Sequence, residues 1–150
     1  MRLSQLEDLY QEIILDHYRH PHHYGSLDHP DYQIEMINPS CGDMLMLEAK
    51  VDANEKLIQL GFHGSGCAIS IASASVMTDL LEGKTLQEAK HLSHSFSKMI
   101  TEPQIDIEAL KDELKEAVIL SGVRQFPARV KCATIAWQAV QKINLQNKDK

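Results

Sequence analysis

Leu3, Leu6, Tyr10, Ile13, Ile14 and His17 recur at the three- and four-residue spacing of one helical face. Ser4 and Glu7 make a capping-box pattern at the start of this run. Pro21, which has no N–H to donate, must end it. The period then drops to two. Residues 32–38 alternate, residues 43–52 place Leu45, Leu47, Ala49 and Val51 on one side, and residues 56–64 follow after the turn Ala53-Asn54-Glu55. Connections this short predict an antiparallel meander with one polar face. Beyond it the pattern is helical. A helix rich in small residues runs from Cys67 and stops at Gly83, and a second capping box, Thr85 with Glu88, opens a helix holding Leu86, Ala89, Leu92 and Phe96. Residues 106–120 form a charged amphipathic helix with Leu110, Leu114 and Ala117 inward, and residues 128–144 put Val130, Ala133, Trp137 and Val140 on one face. A polar tail from about residue 145 is expected to fray. The predicted class is α+β: a three-stranded antiparallel sheet with helices packed on one face, in a single domain over residues 1–150.

The chain has 150 residues, 43% hydrophobic and 24% charged, which is ordinary for one globular domain with its own core. A formal net charge of −6 leaves no polybasic footprint for nucleic acid. No apolar run approaches the ~20 residues of a bilayer span, and acids stand where a signal peptide would carry its apolar stretch. The expectation is a cytoplasmic protein with neither membrane nor nucleic acid as partner.

Candidate chemistry centres on three cysteines, Cys41, Cys67 and Cys132. An odd count in a reducing setting argues against a disulfide framework. By count alone they could be small buried hydrophobes or metal-binding or catalytic thiols. Their placement favours the latter. Cys41 lies in the turn entering the middle strand, Cys67 follows His-Gly-Ser-Gly and opens a helix, and Cys132 is expected in about the first turn of the last helix. Helix N-termini carry partial positive charge that favours thiolate. Asp43 joins them: at i+2 from Cys41 on an extended chain it points the same way, and Gly42 lets the turn bend between the two. Three thiolates and a carboxylate suit zinc, or iron with sulfide. A carboxylate is the weaker ligand in such a set and points to a labile site. The separations between the cysteines match no short zinc-finger pattern.

Other conspicuous residues read more plainly. Four histidines fall between His17 and His23, a composition that also suits a metal, and the run is read as a solvated loop after the first helix. His63 could reach the thiols but reads as a neutral strand-end residue. Ser95 and Lys98 fit S-x-x-K, yet its companion motifs are missing, and Gly64-Ser65-Gly66 lacks the Lys of a phosphate loop. A Cys–His hydrolase would leave Asp43 and two boundary cysteines unused. Met36, Met44, Met46 and Met77 read as core or half-exposed sheet residues.

The motifs SCGD (residues 40–43), GSGCAIS (64–70) and VKCATIAW (130–137) occur in this order, behind a segment, residues 9–25, close to Y-x-x-x-I-x-D-H-Y-x-x-P. Together they resemble the IscU/NifU-N family of iron–sulfur cluster assembly proteins over nearly the whole chain. The resemblance implies that Cys41, Asp43, Cys67 and Cys132 surround one metal or cluster site on a three-stranded sheet with packed helices. Three departures from the scaffold branch stand out. Lys131 replaces a histidine before the third cysteine, residues 125–129 read QFPAR instead of the chaperone-docking L-P-P-V-K, and the segment around residues 95–115 is longer. All three resemble the SufU branch.

That likeness implies a zinc-dependent sulfur acceptor, a sulfurtransferase-like carrier. It would take persulfide sulfur from a pyridoxal-phosphate cysteine desulfurase of the SufS type and serve downstream Suf assembly proteins. Cys41, on the glycine-hinged turn, is the expected acceptor, while Cys67 and Cys132, anchored on helices, are expected to stay on the metal. Arg129 and Lys131 could steer an anionic persulfide, though solvated helix-end charges are the preferred reading. Two alternatives remain open: a scaffold on which a [2Fe–2S] cluster is built on the same four groups and passed to apo-proteins, and a zinc-stabilised interaction module without sulfur chemistry.

Overall fold

The computed structural model describes residues 3–40, 42–102 and 104–143. Helix α1 spans Leu3–Arg19; strands β1 (Tyr32–Asn38), β2 (Asp43–Val51) and β3 (Leu57–Ser65) follow; then come α2 (Ala68–Leu81), α3 (Leu86–Thr101), α4 (Ile107–Leu114), a run of 3₁₀ turns over Lys115–Gln125, and α5 (Pro127–Gln141). The strands form one antiparallel sheet in the order β1-β2-β3, with Ile34 opposite Leu47 and Leu47 opposite Phe62. This is the predicted α+β class. All three strands lie within a residue of their predicted ends.

The odd-numbered β2 residues Leu45, Leu47, Ala49 and Val51 are buried as the alternation requires. They face a core of Phe62, Met77, Leu81, Phe96, Leu120 and Trp137, contributed by every layer of the structure. The other sheet face is not wholly polar or wet. Glu48 is buried there; its carboxylate accepts the Leu27 N–H at 2.9 Å and contacts His63 Nε2 at 2.9 Å. The segment between α1 and β1 also borders β3, where the Gly25 N–H donates to the Phe62 carbonyl and the Phe62 N–H to the His23 carbonyl. A buried carboxylate is tolerated only with such partners; here they tie the loop to the sheet.

Helix α2 is buried on every side from Ser70 to Thr78, which explains its small residues: neighbouring backbones approach on all faces. It is joined to α5 through Ser73, whose hydroxyl donates to the Ala133 carbonyl at 2.5 Å and accepts the Trp137 indole N–H at 2.8 Å. Trp137 stacks on Phe96 of α3 with ring centroids 4.1 Å apart and planes 7° from parallel. The capping box at Thr85 forms as expected, and the Thr85 hydrogen bonds hold the exposed Glu88 carboxyl below its ordinary pKa.

Two expectations on the helices change. The charged helix predicted over residues 106–120 is α-helical only to Leu114. Lys115, at φ +53°, breaks the ladder, and the chain continues in 3₁₀ turns that bury Ala117, Val118, Ile119 and Leu120 in succession. Four successive apolar residues meet neighbours on all sides only where the chain runs through the core, so packing overrides the 3.6 period. The first capping box is displaced: α1 begins at Leu3, so Ser4 lies inside the helix, and the Ser4 and Glu7 side chains fall outside the described ones. The polar tail and the last predicted turn of α5 beyond residue 143 also lie outside the described residues.

Phe96 and Trp137 are fully buried where α3 crosses α5, so Phe96→Ala is expected to cost about 3–5 kcal/mol. Urea unfolding followed by fluorescence of Trp137, the chain's one tryptophan, measures it. A cost under about 1 kcal/mol would show that the ring stack is peripheral to stability.

Candidate metal centre

Asp43 is the first residue of β2, points to the core side of the sheet and is fully buried. A carboxylate so placed must be satisfied. Oδ1 accepts the Cys67 backbone N–H at 3.0 Å and the Ser70 hydroxyl at 3.1 Å; Oδ2 receives the Asn38 side-chain amide at 3.4 Å. Asn38 ends β1 directly opposite Asp43 and is itself buried. Its amide also reaches Cys132 Sγ at 3.9 Å, a weak contact. Cys67 occupies the N-cap of α2 in extended conformation and makes no side-chain cap bond, so its sulfur is not spent on the helix end. The single Ser70 hydroxyl proton is shared between Asp43 Oδ1 and the Cys67 carbonyl, which lies 2.9 Å from Oγ.

The result is that one carboxylate oxygen of Asp43 and the sulfurs of Cys67 and Cys132 all lie within 4.8 Å of one another. They come from the start of β2, the start of α2 and the body of α5. Cys132 is fully buried and Cys67 half-buried. Two thiols and a carboxylate match the donor types that zinc takes at about 2.0–2.3 Å in four-coordinate sites. The turn between β3 and α2 passes so close that a Cβ on Gly66 would lie 2.8 Å from Asp43 Oδ1 and collide with the Ser70 hydroxyl.

Three of the four predicted groups therefore converge. The fourth, Cys41, lies outside the described residues. Its neighbour Gly42 is exposed at φ +72°, the left-handed region where glycine is the natural occupant. Cys132 differs from expectation in one respect. α5 begins at Pro127, so this thiol sits in the second turn, where the helix-end field has faded. His63 does not join the site: it pairs with Glu48 on the opposite face of the sheet. Lys131 and Arg129 are exposed and line, with Ser40 and Pro127, an open depression of about 580 Å³ beside the turn that holds Cys41.

Sequence reasoning missed Asn38 and Ser70. Asn38 looked like a strand end before Pro39, and Ser70 like one of several small residues in α2. A polar side chain at the end of a buried run, directly across a hairpin from Asp43, was the available signal.

Residues 9–141 match the family model described as the NifU-like N-terminal domain. The iron–sulfur cluster assembly scaffold protein IscU of Streptococcus pyogenes is 42% identical over 95% of this chain and 86% of its own length. The zinc-dependent sulfurtransferase SufU of Bacillus subtilis is 39% identical over 93% of this chain and 91% of its own. Among solved structures, a candidate iron–sulfur cluster assembly scaffold for the SUF system from Fervidobacterium islandicum superposes with a TM-score of 0.81 at 30% identity, covering 90% of this chain and 96% of that one. With the sheet order, the motif order and the Asp43–Cys67–Cys132 convergence already in place, these matches show that the chain belongs to the NifU-like N-terminal domain family, the IscU and SufU proteins of iron–sulfur cluster assembly.

Proposed function

We propose that this protein is a zinc-dependent sulfur acceptor that takes persulfide sulfur from a SufS-type cysteine desulfurase in the cytoplasm and passes it to downstream Suf assembly proteins. The observation that carries the reading is the convergence of a buried, hydrogen-bonded carboxylate with two cysteine sulfurs, the carboxylate standing two residues along the chain from a third cysteine. Cys41, Asp43, Cys67 and Cys132 would hold the metal. Zinc bound there would keep the thiols deprotonated while adding no redox chemistry of its own.

The chain's own residues divide the work. Asp43 is held by three donors from three elements, and Cys132 by its place inside α5, so these two are fixed. Cys41 precedes Gly42 in the sequence, and Gly42 takes a left-handed conformation at φ +72°, so the acceptor role falls to Cys41. Its thiolate attacks the terminal sulfur of the desulfurase persulfide. A sulfur–sulfur bond forms on Cys41, the sulfur–sulfur bond on the desulfurase breaks, and the partner's cysteine leaves as thiolate, so charge and electrons balance without an oxidant. Arg129 and Lys131 line the depression beside this turn and offer positive charge to the anionic persulfide.

The second reading is a scaffold that assembles a [2Fe–2S] cluster on the same four groups. The match to the Streptococcus pyogenes scaffold favours it. Lys131 weighs against it, because the ammonium group is not an iron ligand at neutral pH.

Alanine release by a SufS-type desulfurase separates the two. Zinc-loaded protein is expected to raise turnover at least tenfold over metal-free protein. Suppression by zinc, together with a bound cluster formed from iron and reductant, would establish the scaffold instead. Cys41→Ser should abolish sulfur transfer, read as loss of labelled sulfur on this chain by mass spectrometry; transfer at the wild-type level would move the acceptor role to another thiol. Gly66→Ala, which drives a methyl group into Asp43 and Ser70, should weaken zinc at least tenfold in competition with a chelator, and an unchanged affinity would remove Asp43 from the ligand set.

A further inference from the structure

His20, His22 and His23 are exposed, as a solvated loop requires, yet the run is tied to the neighbouring helix. His17, in the last turn of α1, is buried, and its ring lies 4.5 Å, centroid to centroid, from that of His22. His22 Nδ1 lies 2.5 Å from Asp79 Oδ2 of α2, and His23 Nε2 lies 3.2 Å from Asp79 Oδ1. One nitrogen from each of His17 and His22 and one carboxylate oxygen of Asp79 all lie within 4.8 Å of one another. Ligand bonds of about 2.0–2.2 Å place donor atoms some 3.3 Å apart around a tetrahedral ion, so small side-chain rotations close this triangle onto a cation.

We propose that His17, His22 and Asp79 form a second metal site, for a divalent transition cation of the zinc, cobalt or nickel class. Two imidazoles and a carboxylate are the donors such borderline ions prefer, whereas calcium and magnesium call for oxygen sets. The supporting contacts have the form a metal site needs. His17 Nε2 is 2.5 Å from Glu116 Oε1; with a metal on Nδ1, which would give up its contact with Ser75 Oγ, that carboxylate would fix the ring and raise the basicity of the ligating nitrogen. Ser75 Oγ sits 2.7 Å from His17 Nδ1 and accepts the His22 backbone N–H at 2.8 Å, which sets both histidines against α2. A divalent ion takes both imidazoles as neutral ligands. His22 and Asp79 are half-exposed, so the open side of the ion would carry water and exchange readily.

This site is separate from the thiol centre. Asp79 follows Cys67 on the same helix by more than three turns, about 18 Å along the axis at 1.5 Å per residue. The two also differ in softness, one rich in sulfur and the other without it. Binding there would pin the end of α1 and the turn after it to α2.

The test is a titration of reduced, metal-free full-length protein with cobalt(II), read by metal stoichiometry and by near-ultraviolet thiolate-to-cobalt charge transfer. His22→Ala and Asp79→Asn alter half-exposed side chains and leave the core intact. The expected result is one equivalent bound with the charge-transfer band and one without it. The second should weaken at least tenfold in each variant while the band is unchanged. Equal stoichiometry and affinity in wild type and both variants would overturn the proposal, whatever the total bound.

Discussion

A buried carboxylate is one of the costlier features a fold can contain, and much of this structure is arranged around the one at Asp43. Taking an ionised group out of water costs several kcal/mol unless hydrogen bonds or opposite charge replace the lost hydration. Asn38, Ser70 and the Cys67 N–H supply three hydrogen bonds, from β1, from α2 and from the turn before α2. Each of those donors is fixed by its own element, so the sheet edge, the helix start and the turn are locked to one another through a single side chain. The same carboxylate has two thiol sulfurs within 4.8 Å, a donor set that suits a divalent metal.

The second determinant is the seam between α2 and α5. Cys67 opens one helix and Cys132 lies inside the other, so their separation depends on how closely the helices approach. The small residues of α2 permit the approach, and Ser73 fixes its register by bonding both the Ala133 carbonyl and the Trp137 indole. Trp137 is in turn clamped by Phe96. Positioning of the sulfurs thus reaches back through a hydroxyl, an indole and a phenyl ring into the centre of the core, which is how a chain places soft ligands with a precision that a surface loop could not.

The strands were legible because a half-buried strand writes its burial directly as alternation: Leu45, Leu47, Ala49 and Val51 are inside as their parity requires. The second capping box was legible because Thr85 and Glu88 act locally. The 3₁₀ run after Leu114 was not. It opens with the helix formers Lys115, Glu116 and Ala117, and the geometry is chosen by core contacts distant in sequence. At the site, the convergence of Asp43, Cys67 and Cys132 could be inferred from residue type at element boundaries, whereas Asn38 and Ser70 could not, because their role exists only once β1, β2 and α2 have come together. The histidines show the same limit. His17 carried the apolar spacing of α1 and is buried as that spacing demands; that it would meet His22 and Asp79 depends on the chain turning back onto α2 after Pro21.

The residue before Cys132 illustrates how one donor set can serve two chemistries. On a helix, adjacent side chains diverge by about 100°, so position 131 cannot share the inward direction of Cys132 and meets the centre only at its rim. An imidazole at that rim can offer a neutral nitrogen to a metal. Lysine offers a flexible stem and an ammonium with three donors and no lone pair at neutral pH. Lys131 is exposed beside Arg129 on the wall of the depression next to the Cys41 turn. What these two positions add to the centre is positive charge rather than ligation. Positive charge at an entrance favours an incoming anion, which a persulfide is at neutral pH and a ferrous ion is not. The buried donors suit zinc or iron alike, and the proposed sulfur-acceptor role draws its support from the charge of these rim residues.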